Sequence, residues 1–211
     1  MKPTHRTRIA AISLLLAAGA AQAAGPNLVK NGTFSHVTDL TVPANGYVVV
    51  DAGSDAINNW DVGKVSVDVV HGAYNAINGN SIDMIGTPGP GEISQKIHGL
   101  QADTSYMLTF DLARNPNASA AAVTVSFLGQ SQTFTAPSGN SAMLETWTIS
   151  SAALSGNTSK LKFFSVNDGD SYSGAIIDNV SVVASVPEPA TYGMLLAGLG
   201  LLGWIRRRQV G

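Results

Sequence analysis

The side chains able to do chemistry in this 211-residue chain are carboxylates, amides, hydroxyls, imidazoles and aromatic rings, because it has no cysteine. Disulfides, thiol catalysis, zinc–thiolate sites and iron–sulfur clusters are thereby excluded. Glycoside hydrolysis needs two carboxylates across a cleft, one with a raised pKa. Between residues 24 and 186 the only glutamates are Glu92 and Glu145, and neither sits in a catalytic motif. Asp83 and Asp111 fall on expected strands, but no spacing pairs them. His36, His71 and His98 are scattered and no Gly-x-Ser-x-Gly turn is present, so Ser-His-Asp hydrolysis has no frame. Sugar binding asks for less: an aromatic face for the C–H face of a pyranose ring, and a few amides or carboxylates for its hydroxyls. Tyr74, with His71, Asn75 and Asn78 nearby in a polar loop, is one exposed candidate. Tyr172, in Asp168-Gly169-Asp170-Ser171-Tyr172-Ser173-Gly174, is another. Trp60 is a third, although a large aromatic between a turn and a strand of a small β domain more often packs in the core. Tyr106, opening an alternating strand, reads as core. Asp168-Gly169-Asp170 lacks the remaining ligands of an EF-hand-type loop and reads as a solvated turn.

The elements that must hold these residues are strands. Val65-Ser66-Val67-Asp68-Val69 alternates with period two, as a half-buried strand does. Ile93 to Ile97 does so in part, Tyr106 to Ala113 and Val123 to Leu128 alternate likewise, and Leu161 to Val166 and Ala175 to Val183 are further strands. Tyr47 to Val50, Ser81 to Ile85, Gln132 to Ala136 and Thr146 to Ile149 are shorter. Turn signals separate them, among them Asn31-Gly32, Asn45-Gly46, Asn78-Gly79 and Pro88-Gly89-Pro90-Gly91. About ten short strands with glycine-rich turns predict an all-β fold, a jelly-roll β-sandwich.

The two ends are of another kind. A basic start (Lys2, Arg6, Arg8), an apolar run from Ile9 to Ala21 and the small-x-small Ala21-Gln22-Ala23 make a secretory signal peptide, expected to be cut after Ala23 by signal peptidase. At the other end Val186-Pro187-Glu188-Pro189 breaks regular structure. Ala190 to Ile205 is almost wholly apolar, and Arg206, Arg207 and Arg208 close it. As a helix those residues span roughly 24 Å, short for a hydrocarbon core of about 30 Å, with the arginines held on the cytoplasmic side. Expected boundaries are thus a signal peptide at 1–23, a domain at 24–186 and a tail at 187–211 with a transmembrane helix at 190–205. The domain holds six basic and thirteen acidic residues, a formal balance of −7. That argues against a nucleic-acid partner, whose phosphates need basic groups.

Pro187-Glu188-Pro189 before an apolar helix and an arginine cluster resembles the PEP-CTERM sorting signal. The resemblance implies a Gram-negative, exopolysaccharide-producing host, transient inner-membrane anchoring, recognition by exosortase near Pro-Glu-Pro, and release to the cell surface, outer envelope or extracellular matrix. The domain has its own resemblance. Asn27-Leu28-Val29-Lys30-Asn31-Gly32-Thr33-Phe34, Ile57-Asn58-Asn59-Trp60, Asn80-Ser81-Ile82-Asp83-Met84, Gly91-Glu92-Ile93-Ser94-Gln95, Phe110-Asp111-Leu112-Ala113 and Ile177-Asp178-Asn179-Val180-Ser181-Val182 occur in the order of the choice-of-anchor C family. They are also similar to a plant cell-wall family of unknown function and to galactose-binding-like carbohydrate-binding modules. This implies a galactose-binding-like jelly roll and a non-catalytic role, binding exopolysaccharide or another glycan. Two alternatives stand beside it: a structural matrix protein acting through protein–protein contacts, and, with least support, a polysaccharide hydrolase. Related modules often hold a structural calcium between the opening segment and an aspartate of the last strand, here Asn31 and Asp178. Ser35 stands where some of them carry a further acidic ligand.

Overall fold

The computed structural model describes residues 25–152, 154–166, 172–185, 193 and 196–200. Ala24–Val186 form one compact unit. Its strands are β1 (Gly46–Asp51), β2 (Asp61–Lys64), β3 (Ser66–His71), β4 (Asn80–Asp83), β5 (Gly91–His98), β6 (Ser105–Arg114), β7 (Ala122–Phe127), β8 (Gln130–Thr135), β9 (Met143–Ser150), β10 (Thr158–Ser165) and β11 (Ala175–Ala184). They make two sheets, in the orders β1-β3-β4-β11-β6-β9 and β2-β5-β10-β7-β8. Every pairing is antiparallel. The fold is an all-β jelly-roll sandwich. The second unit takes in Met1–Ala23 and Pro187–Gly211; within it residues 193 and 196–200 are helical. Among the described residues no helix is long and apolar enough to cross a membrane. The signal peptide, its cleavage site at Ala21 and Ala23, and the motif residues Pro187, Glu188, Pro189, Arg206, Arg207 and Arg208 lie outside the described residues, as does most of 190–205.

Alternation explains the sandwich. Val67 and Val69 of β3, Leu108, Phe110 and Leu112 of β6, and Leu161 and Phe163 of β10 all enter one core. Phe110 meets Phe163 at 5.2 Å and Phe134 at 5.1 Å, both edge-to-face, the arrangement that aligns ring edges with ring faces. These contacts tie β6 of the larger sheet to β8 and β10 of the smaller.

The residues between the inward ones face outward. On the larger sheet these include Asp68 of β3, Asp83 of β4, Asp111 of β6 and Asp178 of β11. On the smaller sheet they include Lys96 of β5 with Lys160 and Lys162 of β10. Lys64 of β2 joins them, its ammonium 4.8 Å from the Phe164 ring. Lys160 meets Asp61 at 3.7 Å and Lys162 meets Glu92 at 2.9 Å. The two outer faces therefore differ in charge.

The opening segment is sewn to both sheets. Val180 donates its backbone N–H to Gly32 at 2.9 Å, across a register shift of β11 between Asp178 and Ser181. A Cβ on Gly32 would run into the Val180 carbonyl oxygen, so the approach requires glycine. On the other side the Gln95 side chain takes the Lys30 N–H at 2.8 Å and gives hydrogen bonds to the carbonyls of Lys30 and Asn59.

Candidate functional site

The outer face of the larger sheet carries a cavity of about 170 Å³, lined by Tyr47, Asp68, Val70, Tyr74, Asp83, Thr87, Asn115, Asn117, Tyr172 and Ser173. Its floor is set by register. Asp68 of β3 stands directly opposite Asp83 of β4, which puts their Cβ atoms about 4.5–5.5 Å apart on one face. Each carboxylate is braced by a loop. Asp68 accepts the N–H of Thr87 at 3.1 Å and its hydroxyl at 3.2 Å. Asp83, 1% exposed, accepts the Ile85 N–H at 3.0 Å and the Asn115 amide at 2.7 Å. Burial pushes the Asp68 carboxyl up to about 6, against the two Thr87 hydrogen bonds. Burial likewise raises Asp83 to about 7, and the facing charge of Asp68 adds to it. Desolvation disfavours a buried anion, and a like charge compounds it. Among the described residues, no lysine, arginine or histidine lines the cavity.

The walls are aromatic. Tyr47, at one end of β1, is 41% exposed and meets Tyr74 edge-to-face at 5.6 Å. Tyr74 belongs to the loop between β3 and β4. That loop folds back over a small apolar patch of Val70, Ala113 and Ile176, against which Tyr74, Ala76 and Ile77 pack. Tyr74 and Asn75 both have positive φ, 56° and 63°, a costly conformation for a bulky side chain. The Ala76 N–H to Ala73 carbonyl bond closes the turn at 2.9 Å, and the Asn75 amide pins it to the Arg114 carbonyl at 2.7 Å. Tyr172, 56% exposed, stands just before β11. Gly174 follows it where a side chain would meet Ile85.

The structure thus brings Tyr74 and Tyr172 together, although they lie far apart in the chain. The other two sugar-binding candidates are elsewhere. Trp60 is 2% exposed. Its ring packs on Phe34 at 5.5 Å and Phe163 at 6.2 Å, and its indole N–H is given to the Asn31 carbonyl. So packed, the ring offers little surface, although it edges a second cavity with Lys30, Gln95, Lys96 and His98. His71 ends β3 on the side opposite Asp68 and Val70, bonds Asn80 at 3.0 Å, and does not line the cavity. Tyr106 is core, as its alternation predicts, with its hydroxyl taking the Gln101 N–H.

Asp178 and Asn31 do not present an oxygen cage. Asp178 is fully buried, accepts the Asn179 N–H at 2.7 Å and the Ser81 hydroxyl at 3.4 Å, and is raised by burial to about 7. The Asn31 amide nitrogen donates to the carbonyls of His36 and Asn58, and its oxygen accepts the His36 N–H. Calcium wants six to eight oxygens. Among the described residues no group of three or more histidine, aspartate or glutamate side chains gathers. Asp83 and Asp111 do face carboxylates, but their partners are Asp68 and Asp178 rather than each other.

Sequence reasoning missed Asp68, Tyr47, Asn115 and Asn117 as lining residues. Asp68 and Asp83 each show as the polar member of an alternating run, but which strands pair is a tertiary fact.

Residues 27–183 match the family described as protein of unknown function, DUF642. The chain belongs to the DUF642 family. Residues 185–209 match the PEP-CTERM protein-sorting motif, so the DUF642 domain is part of an exported, surface-sorted protein. The chain is 31% identical over 191 residues to Halomucin of Haloquadratum walsbyi, a match covering 87% of this chain and 2% of Halomucin. It therefore spans a small fraction of that relative. Among solved structures, the Stig cyclase Fisc from Fischerella sp. TAU has a TM-score of 0.53 at 16% identity, over 80% of this chain and 100% of that one. TmCBM61, solved with β-1,4-galactotriose, has a TM-score of 0.44 at 17% identity, over 76% of this chain and 100% of that one. These likenesses are of fold. The family name carries no activity, so function must be argued from the site.

Proposed function

We propose that this DUF642 protein is a non-catalytic, extracellular glycan-binding protein that associates with the exopolysaccharide of its Gram-negative host after exosortase processing. One observation carries the reading: three tyrosines converge on a cavity floored by two carboxylates and edged by the amides of Asn115 and Asn117. Rings supply the apolar surface for a pyranose face, and carboxylates and amides bond its hydroxyls. The cavity is smaller than the roughly 300–1,000 Å³ of pockets that enclose drug-sized ligands, so one ring of a chain enters while the rest lies outside. The Asp68–Asp83 pair does not argue for hydrolysis. Each of its four oxygens already takes a hydrogen bond from the protein, and the pair clamps two loops.

Affinity electrophoresis through gels containing the host's polysaccharide tests the proposal. The protein is expected to be retarded, and Tyr172→Ala to lose most of the retardation, since base-stacking-sized aromatic contacts are worth about 1–3 kcal/mol. Unretarded migration in every glycan gel would overturn it. The alternative, a matrix role through protein contacts, draws on Met143 and Leu144 of edge strand β9, both exposed. Self-association in sedimentation, without any glycan retardation, would favour that reading.

A further inference from the structure

Three neutral-looking tyrosines hide the strongest chemical bias of this cavity, which is its charge. Two carboxylates face each other across β3 and β4, an arrangement that destabilises a sheet when both are ionised. Among the described residues no cation lines the cavity to balance them. Arg114, next to the lining residue Asn115, donates from its guanidinium to the Ser119 carbonyl at 2.9 Å and is not among the lining residues. The walls add to the bias in the same direction, because the negative faces of aromatic rings attract cations. An acidic sugar would bring a third negative charge into this space. A neutral sugar would leave the facing charges as they are. A divalent metal would find two carboxylates and no third acidic or imidazole ligand among the described residues.

We propose that the cavity selects a sugar carrying a protonated amine, seated between the Asp68 and Asp83 carboxylates and against the rings of Tyr47, Tyr74 and Tyr172. The amine has three N–H donors. Each Asp68 oxygen spends one lone pair on Thr87 and keeps another for a ligand, whereas Asp83, which also takes the Gly174 N–H, keeps fewer. Such charge-assisted bonds are the stronger kind. A cavity of about 170 Å³ admits the amine-bearing ring, with its neighbours in the chain outside. This inference rests on the glycan-binding reading and names the substrate class for the same cavity.

Isothermal titration of the purified protein at pH 6.5, where the amine is substantially protonated, and low salt, with and without EDTA, decides it. The probes are a tetramer of β-1,4-linked glucosamine, its fully N-acetylated counterpart and a tetragalacturonate. The glucosamine tetramer is expected to bind at least tenfold more tightly than the acetylated one, as a charge-assisted bond implies. Tetragalacturonate is expected not to bind, and EDTA to change nothing. Asp68→Asn, checked by circular dichroism, should bring the preference between the first two probes close to one. Tyr172→Ala, at an exposed position where folding is not at stake, should weaken the glucosamine tetramer about tenfold. Equal or tighter binding of the acetylated tetramer or of tetragalacturonate overturns the inference and leaves the glycan reading standing. A preference that disappears with EDTA overturns it in favour of a metal. Failure of all three probes and of the host polysaccharide overturns both.

Discussion

Asp83 accepts hydrogen bonds from Asn115, Ile85 and Gly174 that favour its charge, yet burial outweighs them and its carboxyl rises from 3.8 to about 7. Asp178 also rises to about 7 and Asp68 to about 6. Between the unfolded and folded pKa values the folded state holds protons that the unfolded chain releases, so stability falls as pH rises. These three groups contribute most below about pH 4 and lose that contribution as pH climbs to about 7. The melting temperature is expected to rise as pH drops from 7.5 to 5.5, the reverse of a salt-bridged acid. Thermal melts at the two pH values check this, and Asp83→Asn should flatten the difference. At this scale the sequence was half legible. Tyr74 and Tyr172 stood out because polar turn residues surround them. Asp68 and Asp83 did not, because each looks like any polar residue facing out of a strand until the cross-strand register places one against the other. Trp60 misleads in the opposite way: its neighbours Asn58 and Asn59 are polar, but the loop turns its ring into the core.

At the level of elements, period-two alternation located ten of the eleven strands to within a few residues. The exception is β2, Asp61–Lys64, which sends only Val62 inward and so has no period to detect. The register shift in β11 was also invisible. Asn179 there has a φ of 51° and gives its amide to Asp111 at 2.7 Å, while Val180 turns to Gly32. Strand shape thus depends on a contact with a segment some 150 residues earlier. Gly32→Ala puts a methyl group against the Val180 carbonyl and is expected to cost about 1–3 kcal/mol, as overpacking does. Gly53→Ala, where a Cβ meets nothing but φ is 84°, provides the comparison for backbone strain alone. Urea denaturation of both variants measures the difference; an unaltered midpoint for Gly32→Ala would remove the close-approach argument.

For the molecule as a whole, the ends told where it goes and the domain told what it is made of. The PEP-CTERM motif is a local pattern, so it reads directly from sequence. The assignment of charge to faces is not local. Of the six basic residues between 24 and 186, four are carried by strands of the smaller sheet, whereas the cavity with its carboxylates lies on the outer face of the larger one. Binding of the protein to vesicles containing anionic lipid is expected to be weak, to fall as ionic strength rises through the range where the Debye length drops below about 10 Å, and to be abolished by Lys96→Glu with Lys160→Glu. Vesicle sedimentation across a salt series checks it; salt-independent binding would show that the lysine face plays no part.

The lysines on one outer face and the aspartates on the other have a consequence for posture. Near an anionic surface, a body polarised in this way is expected to favour orientations with its lysine side toward that surface. In that orientation the mouth between Tyr47, Tyr74 and Tyr172 would point away from the surface, open to solvent.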